Sequence, residues 1–166
     1  MKNRAYKNYI FDFYGTLVDI LTDEKDPVLW DKLGHLYQAY GAAYESETLK
    51  KAYAKRVDQA RKELIELKGV AYPEIDLAHI FNQLYVDARP QSSNSNQPED
   101  WGQLIAMVFR VLSRKHVTAY PHTKEVLAFL KEQGCRIYLL SNAQAAFTNA
   151  EIDLMALRSY FDAIYL

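Results

Sequence analysis

Apolar positions along this chain recur with two different periods, and the change from one to the other divides it. Tyr6 to Phe13 is a short apolar and aromatic run of the kind that forms a buried strand. Asp19 ends this character, and Thr22 to Asp26 is polar and turn-like. The period is then helical. Leu29, Leu33, Leu36, Tyr37 and Tyr40 share one face, Asp26 and Pro27 supply an N-cap and first-turn proline, and Gly41 ends the helix. A second helix is expected from Ser46 to Lys68 on the line Leu49, Tyr53, Val57, Ala60, Leu64 and Leu67; its charged opposite face reads as solvated, and Gly69 closes it. A third, from Pro73 to Ala88, turns Ile75, Ile80, Phe81, Leu84 and Tyr85 inward. Pro90 to Pro98 has no periodicity and reads as a loop. A fourth helix, from Glu99 to Arg114, buries Trp101, Leu104, Ile105, Val108, Val111 and Leu112, with Trp101 as a packing residue. Residues 19–113 are thus expected to be four helices without a strand.

The remainder returns to alternating elements. Tyr120-Pro121 begins a turn, and a helix from Thr123 carries Val126, Leu127 and Leu130 up to Gly134. Cys135 to Leu140 is a continuous apolar strand interrupted only by Arg136, Ala143 to Leu157 is helical, and Phe161 to Leu166 starts a third strand. Strand, long helical excursion, helix, strand, helix, strand is the pattern of an α/β fold, a parallel sheet with a helical insertion.

Composition leaves that picture in place. A hydrophobic content of 49% and a charged content of 25% are globular values. Twenty basic and twenty-one acidic residues balance to −1, which offers no electrostatic case for nucleic acid or a membrane surface as partner. The single cysteine, Cys135, excludes an intrachain disulfide framework and reads as a small buried strand residue. No amino-terminal segment joins a basic head to a long apolar run, and no run approaches membrane-spanning length. A cytoplasmic protein acting on a small molecule is expected. His35, His79, His116 and His122 are scattered, without the spacing of a zinc site.

Two points carry candidate chemistry. Asp12 ends the first apolar run, and Gly15 and Thr16 follow at once. A carboxylate at the carboxyl end of a parallel strand stands where open α/β sheets bind ligands, and Gly15 permits a sharp turn. Ser141 and Asn142 end the Cys135–Leu140 run. A hydroxyl and an amide there can donate hydrogen bonds to an anion, or simply cap the helix that follows; the residues alone leave both open.

The string DFYGTLVD from Asp12 to Asp19 resembles motif I of the haloacid dehalogenase-like hydrolase superfamily, DxDGTLxD, and LLSNAQ from Leu139 resembles its motif II. The resemblance implies a partial Rossmann-like core at residues 1–18 and 114–166, and an inserted helical cap domain at 19–113. It implies Asp12 as the nucleophile, with Thr16, Ser141 and Asn142 holding the transferred group. The family's phosphatases carry a general acid/base Asp two residues after the nucleophile, and Tyr14 stands there. Phosphatase-type chemistry through an aspartyl phosphate would use Mg2+ on Asp12 and the Tyr14 main-chain carbonyl. The 2-haloacid dehalogenases of the superfamily look more like DxYGTL and require no metal, but YQAYGAAYESE lacks their early cap Arg, the nearest later one being Arg56. A motif III Lys and motif IV acids have no match, and no Lys follows Lys131. The chain therefore reads as the first part of a family domain, truncated before those motifs, with its own activity impaired; a non-catalytic binding module is the third reading. The strand that pairs with the motif I strand in the family fold would also be missing, leaving an exposed sheet edge suited to self-association into a homo-oligomer.

Overall fold

The computed structural model describes residues 6–89 and 97–166; most of the expected Pro90–Pro98 loop lies outside the described residues. In chain order the elements are β1 (Asn8–Phe11), β2 (Val18–Thr22), α1 (Pro27–Ala39), α2 (Ser46–Lys68), α3 (Leu77–Ala88), α4 (Trp101–Ser113), β3 (Arg114–Ala119), α5 (Thr123–Glu132), β4 (Arg136–Leu140), α6 (Ala145–Leu154), a 3-10 turn at Arg158–Tyr160, and β5 (Ala163–Tyr165). They fall into two compact units, Met1–Thr22 with Arg114–Leu166, and Asp23–Ser113.

The first unit is built on a parallel sheet of order β1-β4-β5. Ile137 and Leu139, on one face of the central strand β4, are fully buried, while Leu140 on the other is exposed. The β1/β4 register runs from Asn8↔Arg136 to Phe11↔Leu139, so both strands end at the same level. Phe13, Leu17, Val18, Leu127, Leu130, Ile152 and Leu157 complete the core, together with Cys135, which is buried as expected. Among the described residues β1 is paired on one side only, and Ile10 on it is 67% exposed. The architecture is the expected parallel core sheet with a helical insertion.

In this unit a strand pairing replaces the start of the expected helical excursion. Val18–Thr22 and Arg114–Ala119 form a separate antiparallel ribbon, Val18↔Ala119 through Leu21↔His116 with a bulge before Thr22. Residues 19–22 are therefore strand. Arg114–Ala119 carries one strongly apolar residue, Val117, in a polar run, and its partner strand lies almost a hundred residues away. Local periodicity holds no trace of such a pairing. Across the ribbon His116 Nε2 meets Asp19 Oδ2 at 3.0 Å.

Asp162, just ahead of β5, ties that strand's approach to β4. Its Oδ2 accepts from Ile137 N at 2.7 Å and its Oδ1 lies 3.3 Å from Lys131 Nζ. The hydrogen bond from Ile137 N and then the Lys131 ammonium hold its carboxyl below the ordinary carboxylate range. A lowered folded-state pKa stabilises above the unfolded value and is lost as pH falls through the folded one. Asp162→Asn should thus lower Tm at neutral pH and converge on the parent well below pH ~3.9, in a Tm series from neutral to acid pH. A constant offset across the series would refute the charge contribution.

In the helical unit, Asp26 Oδ1 caps α1 by accepting from Val28 N, and Pro27 opens it. Gly69 closes α2 at φ +64°, where Gly is strongly favoured. The core is aromatic: Trp30, Tyr53, Phe81 and Phe109 form one group, and Tyr37, Tyr40, Tyr85 and Trp101 another. Trp101 is fully buried, in keeping with a packing role. The hydroxyls of Tyr37, Tyr44 and Tyr85 donate to the carbonyls of Phe81, Leu84 and Tyr40, which satisfies them inside the unit. Two helix faces depart from expectation. Leu67 is 82% exposed because α2 buries only Leu49 fully, and the apolar line fades toward its carboxyl end. On α4 the buried face is Trp101, Gly102, Ile105, Ala106 and Phe109, while Leu104 and Val111 are exposed. The small residues explain the rotation. A Cβ on Gly102 would lie 2.0 Å from the Ala78 carbonyl oxygen, so α3 approaches α4 along its smallest face. Among the described residues no helix is long and apolar enough to cross a membrane.

Candidate active site

The β1/β4 register decides what meets at the sheet's carboxyl end. Asp12 follows Phe11, Ser141 follows Leu140, and the two paired strands deliver both residues to one rim. An open cleft of about 460 Å³ is lined there by Asp12, Tyr14, Leu140, Ser141, Asn142 and Ala143. Asp12 is exposed, with Oδ1 accepting from Phe13 N at 2.7 Å. The chain then turns tightly: Thr16, Leu17 and Val18 N–H groups all point at the Phe13 carbonyl, and Gly15 sits at φ +76° and donates to Val18 O. That positive φ is why a glycine stands two residues before the chain re-enters the core. Ser141 is buried and its N–H donates to Tyr165 O, so β5 anchors it. Asn142 is exposed at the mouth.

Of the residues singled out in the sequence, Asp12, Tyr14, Ser141 and Asn142 thus share the cleft. Thr16 is exposed and does not line it. Tyr14 is only half a wall residue, because its hydroxyl turns inward to α6. It donates to Glu151 Oε2 and lies 3.2 Å from Thr148 Oγ1. A phenol has one proton, so Thr148 donates to Tyr14 while Tyr14 donates to Glu151. Glu151 Oε1 in turn accepts from Arg114 Nη1 at 2.9 Å. The Glu151 side chain is 3% exposed, and Thr148 is fully buried.

The sequence reading missed this network. Its one available signal was Glu151 in line with Phe147, Thr148 and Ile152 on the inner face of α6. A buried acid demands a charged or donating partner, but which partner is a tertiary matter.

Mg2+ calls for oxygen donors, usually one or two carboxylates with the substrate's phosphate. Among the described residues Asp12 is the one carboxylate lining the cleft, and no group of three or more His, Cys, Asp or Glu could hold a metal. The residues present fall short of a metal centre on their own.

A family model described as haloacid dehalogenase-like hydrolase matches residues 6–166. No curated protein matches the chain. Among solved structures, the L-2-haloacid dehalogenase of Xanthobacter autotrophicus is similar at 18% identity and TM-score 0.41, over 96% of this chain and 56% of that one. A predicted phosphoglycolate phosphatase from Haemophilus somnus aligns at 18% identity and TM-score 0.42, over 96% of this chain and 62% of that one. A further L-2-haloacid dehalogenase aligns at 17% identity and TM-score 0.46, over 98% and 64%. The chain therefore spans less than two thirds of the length of these relatives.

Proposed function

Because this chain belongs to the haloacid dehalogenase-like hydrolase family, we propose that Asp12 is the nucleophile of a hydrolase that cleaves small phosphate esters through an aspartyl phosphate. The observation that carries this reading is the convergence of Asp12 with Ser141 and Asn142 in one open cleft. An Asp12 oxygen would attack phosphorus from the exposed rim. The Ser141 hydroxyl and the Asn142 amide would donate to the phosphoryl oxygens, where negative charge gathers in the transition state. Mg2+ belongs to the reading as an ion that Asp12 and the Tyr14 carbonyl would share with the phosphate. Among the described residues one carboxylate lines the cleft, so further oxygen donors to the ion would have to come from the phosphate and water.

A second reading, 2-haloacid dehalogenation, gains from one observation. The Tyr14 hydroxyl is engaged with Glu151 and Thr148, and a halide departs without a proton.

The two readings separate on a panel of phosphate monoesters and 2-haloacids assayed with Mg2+ and with excess chelator. Phosphate release that is lost on chelation and restored by added Mg2+ is expected. Halide release indifferent to chelator, with no phosphate release, would overturn the phosphatase reading in favour of the second. Turnover of neither class would leave this chain a binding module.

A further inference from the structure

Tyr14 lines the cleft together with Asp12, where a leaving group could take a proton from it, but its phenol proton already has a destination. Tyr14 donates to Glu151, Thr148 donates to Tyr14, and Arg114 occupies the other Glu151 oxygen. Glu151 is buried, so its charge depends on these donors. Withdrawing Tyr14 from it would strip a hydrogen bond from a carboxylate that has little water to replace it. The three partners come from β3 and from two successive turns of α6, so the ring is held from behind by packed elements. Its exposed flank faces the cleft beside Asp12.

We propose that Glu151 is a positioning residue that claims the Tyr14 hydroxyl proton and fixes the ring as a wall of the cleft, restricting the site to substrates whose leaving group departs as a stable anion. This rests on the phosphoester reading, for which the class is activated phosphate monoesters, aryl and acyl phosphates, and not alkyl phosphates. The step balances without a proton donor. An Asp12 oxygen forms the bond to phosphorus, the phosphorus–oxygen bond to the leaving group breaks, and both electrons leave with a phenolate or carboxylate. Water then attacks the aspartyl phosphate; the Asp12 carboxylate is released as an anion and both water protons remain on dihydrogen phosphate.

Two measurements on the full chain test this separately. Proton NMR at low temperature should show a slowly exchanging, downfield tyrosine hydroxyl that is absent in Tyr14→Phe. In Glu151→Gln the same proton should move upfield or exchange at least tenfold faster. Thr148→Val, close in volume, should keep the resonance, because Thr148 is the donor of its pair. Loss of the resonance in Thr148→Val, or no response to Glu151→Gln, would overturn the assignment; if Glu151→Gln does not fold, Thr148→Val decides alone. In turnover, p-nitrophenyl phosphate should be strongly preferred over glycerol phosphate, and Tyr14→Asp, which supplies a carboxyl group, should raise glycerol phosphate turnover by ~10²-fold, the scale of general-acid catalysis. Equal turnover of both esters by the parent would overturn the restriction on substrates. Absence of turnover on every ester would sink the phosphoester reading and with it the substrate class, while the hydroxyl resonance would still decide the role of Glu151.

Discussion

Asp12→Asn should abolish the proposed phosphoester turnover, by at least ~10³-fold in kcat, while leaving the fold intact. The two halves of this expectation have different physical sources. Asp12 is exposed, and its one hydrogen bond given by the structure is Oδ1 accepting from Phe13 N. An asparagine retains that oxygen, so stability should change by no more than a surface substitution does, about ±0.5 kcal/mol, and Tm should barely move. On the proposed reading, however, the carboxylate oxygen is the attacking atom, and a neutral amide oxygen is a far weaker nucleophile that cannot form the same acyl phosphate. Turnover and Tm measured on the same preparation separate the two. Unchanged turnover would remove Asp12 from the chemistry, whereas a large fall in Tm would mean that the site's geometry had been lost with it.

The largest effect on stability is expected at Gly102. Two glycines stand inside helices of the Asp23–Ser113 unit, and they should respond with opposite sign. At Gly102 a Cβ would meet the Ala78 carbonyl oxygen at 2.0 Å and its carbon at 2.8 Å, and both are backbone atoms that no side-chain rotation can clear. Gly102→Ala must push α3 from α4, with a cost of roughly 3 kcal/mol, or a fall of ~10 °C or more in the Tm of a unit of this size. At Gly34 the nearest atoms, Tyr44 O and Ser46 N, would lie at 3.4 and 3.5 Å, ordinary contact. Gly34→Ala should therefore be neutral or gain up to ~1 kcal/mol from helix propensity. Thermal unfolding of the two variants beside the parent checks this. Similar shifts for both would show that the close approach at Gly102 is not real.

Much of the fold was legible because its signals are local. The helix from Asp26 was announced by cap and proline chemistry, and its side chains formed that cap. The apolar run from Cys135 to Leu140 became the central strand, with Ile137 and Leu139 buried on one face and Tyr138 half-buried on the other. What escaped depended on distant partners. The β2/β3 ribbon pairs strands almost a hundred residues apart, one of them mostly polar. The buried face of α4 turned toward Gly102 and Ala106 because close approach of backbones outweighed the larger Leu104 and Val111. The candidate site divides in the same way. Asp12, Ser141 and Asn142 were visible as polar residues ending apolar runs, whereas the cleft's omission of Thr16 and the inward turn of Tyr14 were not.

By itself, then, the sequence determined the elements that short-range chemistry specifies: a strand ending at Asp12, a strand ending at Ser141, and amphipathic helices between them. It also determined the family, because the DFYGTLVD and SNAQ strings are contiguous. Tertiary structure alone decided which residues meet. Parallel pairing of β1 with β4 set Asp12 beside Ser141, and the packing of α6 and β3 set Glu151 and Arg114 behind Tyr14. The physical reason is common to both. Hydrophobic periodicity is written within a few residues of itself, while a carboxylate's partner is chosen by what burial leaves within hydrogen-bonding distance.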